Sequence, residues 1–356
     1  MVNGGDPRIT AAGASTEQES PVVPPPPREI PTANIPPPRS TAPNRVNLTA
    51  ENQSLLNSVR SATTFTVQER DTCLQSLFNL MTSNEEDGAA QFREVVSRSG
   101  FRRMASLLTS DLDRFLEMAR NKNGSNRIQE LLGITDDVDI FFVNAILTRF
   151  FHIMTHREAS RVAMQGMRVF SEEKKTAMYN YVLHHVLHLA CDRVGYAVLK
   201  QIIDVWSGLG NFSYRDRLLY IVAQNALYLS YHAHGNYVVQ HALQLNDLRC
   251  THNVALSLSG YCVRLSFTKL GSYVVQKLLD TEEGAVWVVV EMMWYDGETL
   301  VRLAESDYGN YVVLKALRVM WERNRRYLFW NLAKKLMPYV DRLRGRNIGA
   351  FLYWLR

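Results

Sequence analysis

Three short stretches place carboxamide and aromatic side chains at one recurring spacing: AHGNYVVQHAL (233–243), LGSYVVQKLL (270–279) and YGNYVVLKAL (308–317). On an α-helix, residues four apart share a face, and the residue following the first of them sits beside that face. In the first stretch Val238, Val239, Ala242 and Leu243 then point inward, Asn236 and Gln240 project together, and Tyr237 lies alongside. Two carboxamides can donate and accept hydrogen bonds along the edge of a flat base. A neighbouring ring can stack on its face, at about 1–3 kcal/mol per base. This is chemistry for holding a base.

The elements that must position these residues recur along the chain. The template continues upstream as GYAVLKQI from 195, SRVAMQGM from 160 and SNRIQELL from 125. Its lead residues are Ser125, Ser160, Gly195, Asn236, Ser272 and Asn310, separated by 35, 35, 41, 36 and 38 residues. One further step of 36 reaches DGAAQFREVV (87–96), which matches NGSNRIQELL (123–132) in hydrophobicity. A period in the thirties means a solenoid of stacked units. Each unit has a second apolar pattern of helical spacing upstream, such as DLDRFLEMAR (111–120), KKTAMYNYVLHHVLHLA (174–190) and DRLLYIVAQNALYLS (216–230). Each repeat therefore reads as a helical pair, with the extra length before Asn236 placed in a loop around SGLGNFS (207–213). Neither the tryptophan–tyrosine pattern of tetratricopeptide repeats nor the TPLH turn of ankyrin repeats is found.

Composition bounds the remainder. Of 356 residues 46% are hydrophobic, enough for a sizeable core. Eleven of the twelve prolines lie in the first 43 residues, so 1–55 reads as a disordered proline-rich tail and 60–356 as the repeat domain. Residues 1–50 carry four basic and four acidic side chains, which leaves the +5 excess beyond residue 50, a balance compatible with nucleic acid. No signal peptide is read at the N-terminus. The greasiest run, AVWVVVEMMW (285–294), contains Glu291 and is about half a membrane span. The four cysteines lack zinc or disulfide-framework spacing and read as reduced thiols of an intracellular protein. His152/His156 and His184/His188 are i, i+4 pairs without an HExxH pattern, and read as packing or surface histidines. TDDVD (135–139) lacks the alternation of a calcium loop and reads as a helix start. No phosphate-binding glycine loop or nucleophile elbow is found. An enzyme, a metal and a cofactor are not expected.

At HGNYVVQHAL, GSYVVQKLL and YGNYVVLKAL, and more weakly at GSNRIQELL, the chain resembles the Pumilio (PUF) family of RNA-binding proteins over roughly residues 60 to 356. The proline-rich leader and worn repeats look like a divergent plant member. The resemblance implies an all-α fold, an α-solenoid superhelix of about six to seven Pumilio-type helical repeats plus an N-terminal capping repeat. It implies that Asn with Gln reads uracil, that Ser with Gln reads adenine, and that RNA runs antiparallel to the chain. Carried over by position, Ser125 and Gln129 read adenine, Asn236 and Gln240 uracil, and Ser272 and Gln276 adenine. Asn310 keeps half of a uracil pair opposite Leu314. The stacking position holds Arg161, Tyr196, Tyr237, Tyr273 and Tyr311, with Asn126 a departure. Ser160 with Met164 and Gly195 with Leu199 have lost both edge contacts.

The expected element is therefore about U-A-U-n-n-A, 5′ to 3′. The residues after the second reader, Lys200, His241, Lys277 and Lys315, form a row suited to phosphates, or else ordinary solvated helix charge. RGRNIGAFLYWLR (344–356) is a truncated seventh unit, and no guanine-reading Ser–Glu pair occurs. The implied role is post-transcriptional control of mRNA through 3′ untranslated regions by a cytoplasmic monomer with protein co-repressors and no membrane. The alternatives are a protein-interaction scaffold or a weakly specific RNA binder, including one in nucleolar pre-rRNA processing.

Overall fold

The computed structural model describes residues 47–354 apart from 62–64, 86 and 209. Among them the chain forms 23 α-helices and one 3-10 turn. From Phe101 onward the helices recur in threes, for example Phe212–Gln224, Ala226–Tyr231 and Gly235–Gln244, followed by Leu248–Leu258, Cys262–Ser266 and Lys269–Asp280. Seven such units end at Asn347–Trp354, preceded by a unit made of Ala50–Ser61, Val67–Thr82 and Gly88–Ser99. Equivalent helices stack on their neighbours, as Gly235–Gln244 does on Lys269–Asp280 and that helix on Gly309–Glu322. The architecture is the expected α-solenoid with an N-terminal capping unit.

The repeat is a triplet of helices, a correction to the expected pair. In the units that begin at Asp136, Glu172 and Phe212 the pattern upstream of the template is one long helix and one short one, broken at Arg149, His185 and Asn225. There the backbone turns through φ −107°, −105° and −108° with ψ near zero or slightly positive. Any residue type can occupy that region, so neither glycine nor proline marks the break. The loop around 207–213 is also shorter than expected: Gly195–Gly208 runs 14 residues against 10 for Gly235–Gln244, so much of the added length extends a helix.

The proline-rich segment up to residue 46 lies outside the described residues. The expected boundary at 55 to 60 is too late, because Ala50–Ser61 is a helix that buries Leu55, Leu56 and Val59. TDDVD begins the helix Asp136–Thr148, with the Asp139 carboxylate accepting the Gly133 N–H at 2.9 Å. No described helix is long and apolar enough to cross a membrane.

What joins the units is burial plus caps supplied across the interface. Val238, Val239, Ala242 and Leu243 are all buried, as are Val274, Val275, Leu278 and Leu279. Each buried valine or leucine among them contributes about 1.5–3 kcal/mol. The helix C-termini, whose last carbonyls lack partners within the helix, receive cations from the next unit. Arg127 donates to the carbonyls of Leu80 and Met81 (both 2.7 Å) and of Ser83, and Arg323 to those of Asp280 and Thr281. Glu291, inside the greasy run, is buried and does the converse at an N-terminus. Its carboxylate accepts the Gly260 N–H at 2.8 Å and the Val263 N–H at 3.0 Å from the unit before. Glu291→Leu leaves both donors unpaired, and a urea melt should show a loss of about 2–4 kcal/mol. A variant within 0.5 kcal/mol of wild type, roughly the scatter of surface changes, would remove Glu291 from the account.

Candidate nucleic-acid interface

The third helix of each unit carries the sequence template, and its start is built the same way every time. Four residues before the first reader stands a capping side chain: Asn121, His156, His232, Thr268 or Ser306. Each accepts the backbone N–H three residues on. In four of these repeats that N–H belongs to a glycine packed against the short helix. A Cβ on Gly271 would lie 2.6 Å from the Leu265 carbonyl oxygen, and one on Gly309 2.6 Å from that of Leu303.

This construction corrects one repeat by a residue. Asp192 accepts the N–H of Gly195 at 2.7 Å, and a Cβ on Gly195 would lie 2.7 Å from the Leu189 carbonyl oxygen. Gly195 is therefore the packing glycine, equivalent to Gly235 and Gly271, and not a lead residue. Tyr196 takes the first reading position, Ala197 the stacking position and Lys200 the second reading position. Two expected residues shift with it: Tyr196 falls one position before the stacking place, and Lys200 one position before the row that follows the second reader. The spacing of lead residues becomes 35, 36, 40, 36 and 38 residues, more even than before.

At the best preserved repeat, the Asn236 side chain is fully buried and its Nδ2 donates to the carbonyls of His232 (2.8 Å) and Ala233 (3.0 Å). Its Oδ1 accepts from Gln240 Nε2 at 2.8 Å. Asn236 is thereby held inside the helix junction as an anchor for Gln240, whose carbonyl is left to accept and whose second N–H is left to donate. Tyr237 stands beside it, 45% exposed. In the next repeat Ser272 Oγ donates to the Lys269 carbonyl at 2.9 Å, Tyr273 is exposed, and Gln276 has no hydrogen-bond partner among the described residues. Asn310 donates to the carbonyls of Ser306 and Asp307, with Tyr311 exposed beside it and Leu314 buried at the second position. Ser125 is tied across the repeat boundary, donating to the Glu158 carbonyl at 2.8 Å, and Gln129 Nε2 donates back to Ser125 Oγ at 3.2 Å. Ser160 donates to the Arg157 carbonyl at 3.0 Å opposite a buried Met164.

The stacking ladder is thus Tyr311, Tyr273, Tyr237, Ala197, Arg161 and Asn126. Its break at Ala197 is filled by the protein. Tyr196 lies nearly parallel to His234, with ring centroids 5.5 Å apart and 9° between planes, and 5.4 Å from Tyr237. Those are direct ring contacts, so no base fits between Tyr196 and Tyr237 in this arrangement. Arg161 reaches Glu158 at 3.1 Å.

The proposed phosphate row is largely committed to carboxylates. His241 Nε2 lies 2.9 Å from Asp204 and Lys315 2.6 Å from Asp280, each pairing with the preceding repeat, while Lys277 is 3.7 Å from Asp280. These contacts fit inter-repeat stapling better than free phosphate binding. The histidine pairs serve local packing: His156 caps a helix and His188 meets Phe151 edge-on at 6.4 Å. Among the described residues no group of three or more potential ligands could hold a metal.

Sequence reasoning missed Arg157, Arg168 and Arg193, which with Arg161 surround an open cavity at the two worn repeats. The available signal was that Arg157 and Arg193 both stand three residues before a first reading position, once Gly195 is placed correctly.

Comparison with known proteins agrees with this architecture. A model described as the Pumilio-family RNA binding repeat matches residues 225–247 and 261–285. Pumilio homolog 18 of Arabidopsis thaliana is 50% identical over 283 residues, covering 78% of this chain and 85% of that protein. Pumilio homolog 20 of the same plant is 45% identical over 354 residues, 98% of each chain. Among solved structures, the Puf4 RNA binding domain bound to an HO endonuclease RNA 3′ UTR recognition sequence aligns with a TM-score of 0.65 at 20% identity, covering 86% of this chain and 95% of that one. PUF-8 in complex with PBE-RNA gives a TM-score of 0.60 at 17% identity, covering 85% and 88%.

Two measurements test the geometry. Gly195→Ala and Gly271→Ala should each cost about 1–3 kcal/mol in a denaturant melt, because the new Cβ meets backbone; a neutral Gly195→Ala would restore the uncorrected register. His156 is held below its ordinary pKa by burial and by Arg120 nearby. A depressed histidine pKa means the unfolded chain takes up the proton first, so stability present above about pH 6.5 is lost as pH falls. His156→Asn keeps a capping acceptor and should flatten that part of the stability–pH curve; an unchanged curve would contradict the assignment.

Proposed function

The chain belongs to the Pumilio family of RNA-binding repeat proteins, and on that premise we propose that it is a sequence-selective binder of single-stranded RNA with a worn base code. The observation that carries this is the bonded Asn236–Gln240 amide pair beneath exposed Tyr237, followed one repeat later by Ser272, Tyr273 and Gln276. Asn310 with Tyr311 offers half of a third uracil site, and Ser125 with Gln129 an adenine site beyond two non-reading repeats. The element bound is about U-A-U-n-n-A, read by repeats from the C-terminal side toward the N-terminal side.

The regulatory output we infer is repression or decay of mRNAs recognised in their 3′ untranslated regions, exerted in the cytoplasm through recruited proteins. The kinship with plant pumilio homologs and the fold shared with RNA-bound PUF domains support that reading. Internal satisfaction of Asn236 and Ser125 favours a second reading, in which the face has become a protein-interaction scaffold.

Unbiased RNA selection with the full chain separates them. Selection should enrich a U-A-U core. Asn236→Ala with Gln240→Ala should relax the third position, and Tyr237→Ala should weaken binding by about 1–3 kcal/mol. Enrichment of nothing, or of the same motif by the double variant, would favour the scaffold.

A further inference from the structure

From Lys122 onward, the reading helices of successive units pack closely on one another, except where Ala159–Val169 meets Gly195–Gly208. At that sparse junction an open cavity of about 580 Å³ lies on the reading face. Met164 and Ala197 are among its apolar lining, Gln129 and Gln201 among its polar lining, and Arg157, Arg161, Arg168 and Arg193 line it as well. Among the described residues the one carboxylate paired with any of the four is Glu158, 3.1 Å from Arg161 and 3.9 Å from Arg157. Among the described residues Arg168 and Arg193 have no acidic partner within 4.0 Å, and the Arg157 side chain is 90% exposed. Four guanidinium groups against one carboxylate leave about three uncompensated positive charges around a single concavity.

These same two repeats cannot read bases. Their pairs are Ser160 with Met164 and Tyr196 with Lys200, the Ser160 hydroxyl is spent on the Arg157 carbonyl, and Ala197 offers no ring. What they present is planar, permanently charged forks whose geometry matches pairs of phosphate oxygens.

We propose that the Arg157–Arg161–Arg168–Arg193 cavity binds the RNA phosphodiester backbone, drawn toward the protein at the two unread positions of U-A-U-n-n-A with its bases turned away. This rests on the RNA-binding reading above. It assigns the worn repeats a holding role: they span two nucleotides without reading them and keep the flanking adenine in register with Ser125 and Gln129.

The test is a salt titration of full-length protein, between about 50 and 200 mM, on an RNA carrying the selected element. Arg168→Gln with Arg193→Gln removes two exposed phosphate contacts, so the log–log slope should fall by about 1.4 and the affinity by roughly tenfold. Uncharged methylphosphonate linkages flanking the two unread nucleotides should weaken wild-type binding similarly and should weaken the double variant no further. Abasic sugars at those two positions should bind as the parent RNA does. Thermal melts of the variant should match wild type, both side chains being exposed.

An unchanged slope, independent effects of variant and methylphosphonate, or a loss on removing the two bases would each overturn the cavity assignment. An acidic protein segment as the true occupant would give the unchanged slope. In those outcomes Asn236→Ala with Gln240→Ala would still alter the sequence preference, leaving the base-reading proposal standing. Wild-type protein that binds no RNA at any salt concentration would instead overturn both.

Discussion

The reading face depends on one close approach: the backbone at the start of each third helix lies against a carbonyl of the short helix before it. Glycine at 195, 235, 271 and 309 permits that approach, and a side-chain acceptor three residues earlier satisfies the N–H brought into it. Once this junction is set, the positions one, two and five residues later become first reader, stacker and second reader, because helical geometry fixes their directions. The inward stripe follows from the same phase. Val238 and Val239 are buried because Asn236 and Tyr237 are where they are, and a slip at the junction would turn amides into the core.

Units built this way cannot finish themselves. Their helix ends need caps from a neighbour, which Arg127, Arg323 and Glu291 supply, and their polar edges are joined by His241 with Asp204 and Lys315 with Asp280. The cost falls on function, since cations paired to carboxylates have less to offer a phosphate. Preorganisation has its own balance. Asn236 is held by three hydrogen bonds, so the amide pair is already in place and little ordering entropy would be lost on binding a base. The same bonds reduce the number of groups left to discriminate one base from another.

Much of this was legible in the sequence, for physical reasons that also explain the gaps. The solenoid, the inward aliphatic stripe and the amide–tyrosine face were readable because they repeat, and repetition separates phase from chance. The break between long and short helices was not, because Arg149, His185 and Asn225 turn the chain in a region open to any residue. The repeat at 195 was misplaced by one residue because glycine suits both a small lead position and a tight junction; only the Leu189 carbonyl and the Asp192 cap separate the two. The helix Ala50–Ser61 was hidden by the proline-rich sequence before it, although Leu55, Leu56 and Val59 have helical spacing. Which cations are free could not be read at all, since pairing joins residues from different repeats.

Pairing is where the two halves of the reading face diverge. In the repeats around Asn236 and Ser272 the amides and tyrosines persist while nearby cations are neutralised by Asp204 and Asp280. In the repeats around Ser160 and Tyr196 the amides are gone, and among the described residues Arg168 and Arg193 stand without an acidic partner. Base edges discriminate through directed hydrogen bonds, whereas phosphates attract through charge that is blind to sequence. An array that lost its readers at random would have no reason to concentrate unpaired arginine where reading fails. Their segregation onto adjacent repeats is what a division between reading and holding would leave behind. On that account the degenerate centre is a spacer with affinity of its own, and the length it spans is as much a part of the recognition element as the bases on either side.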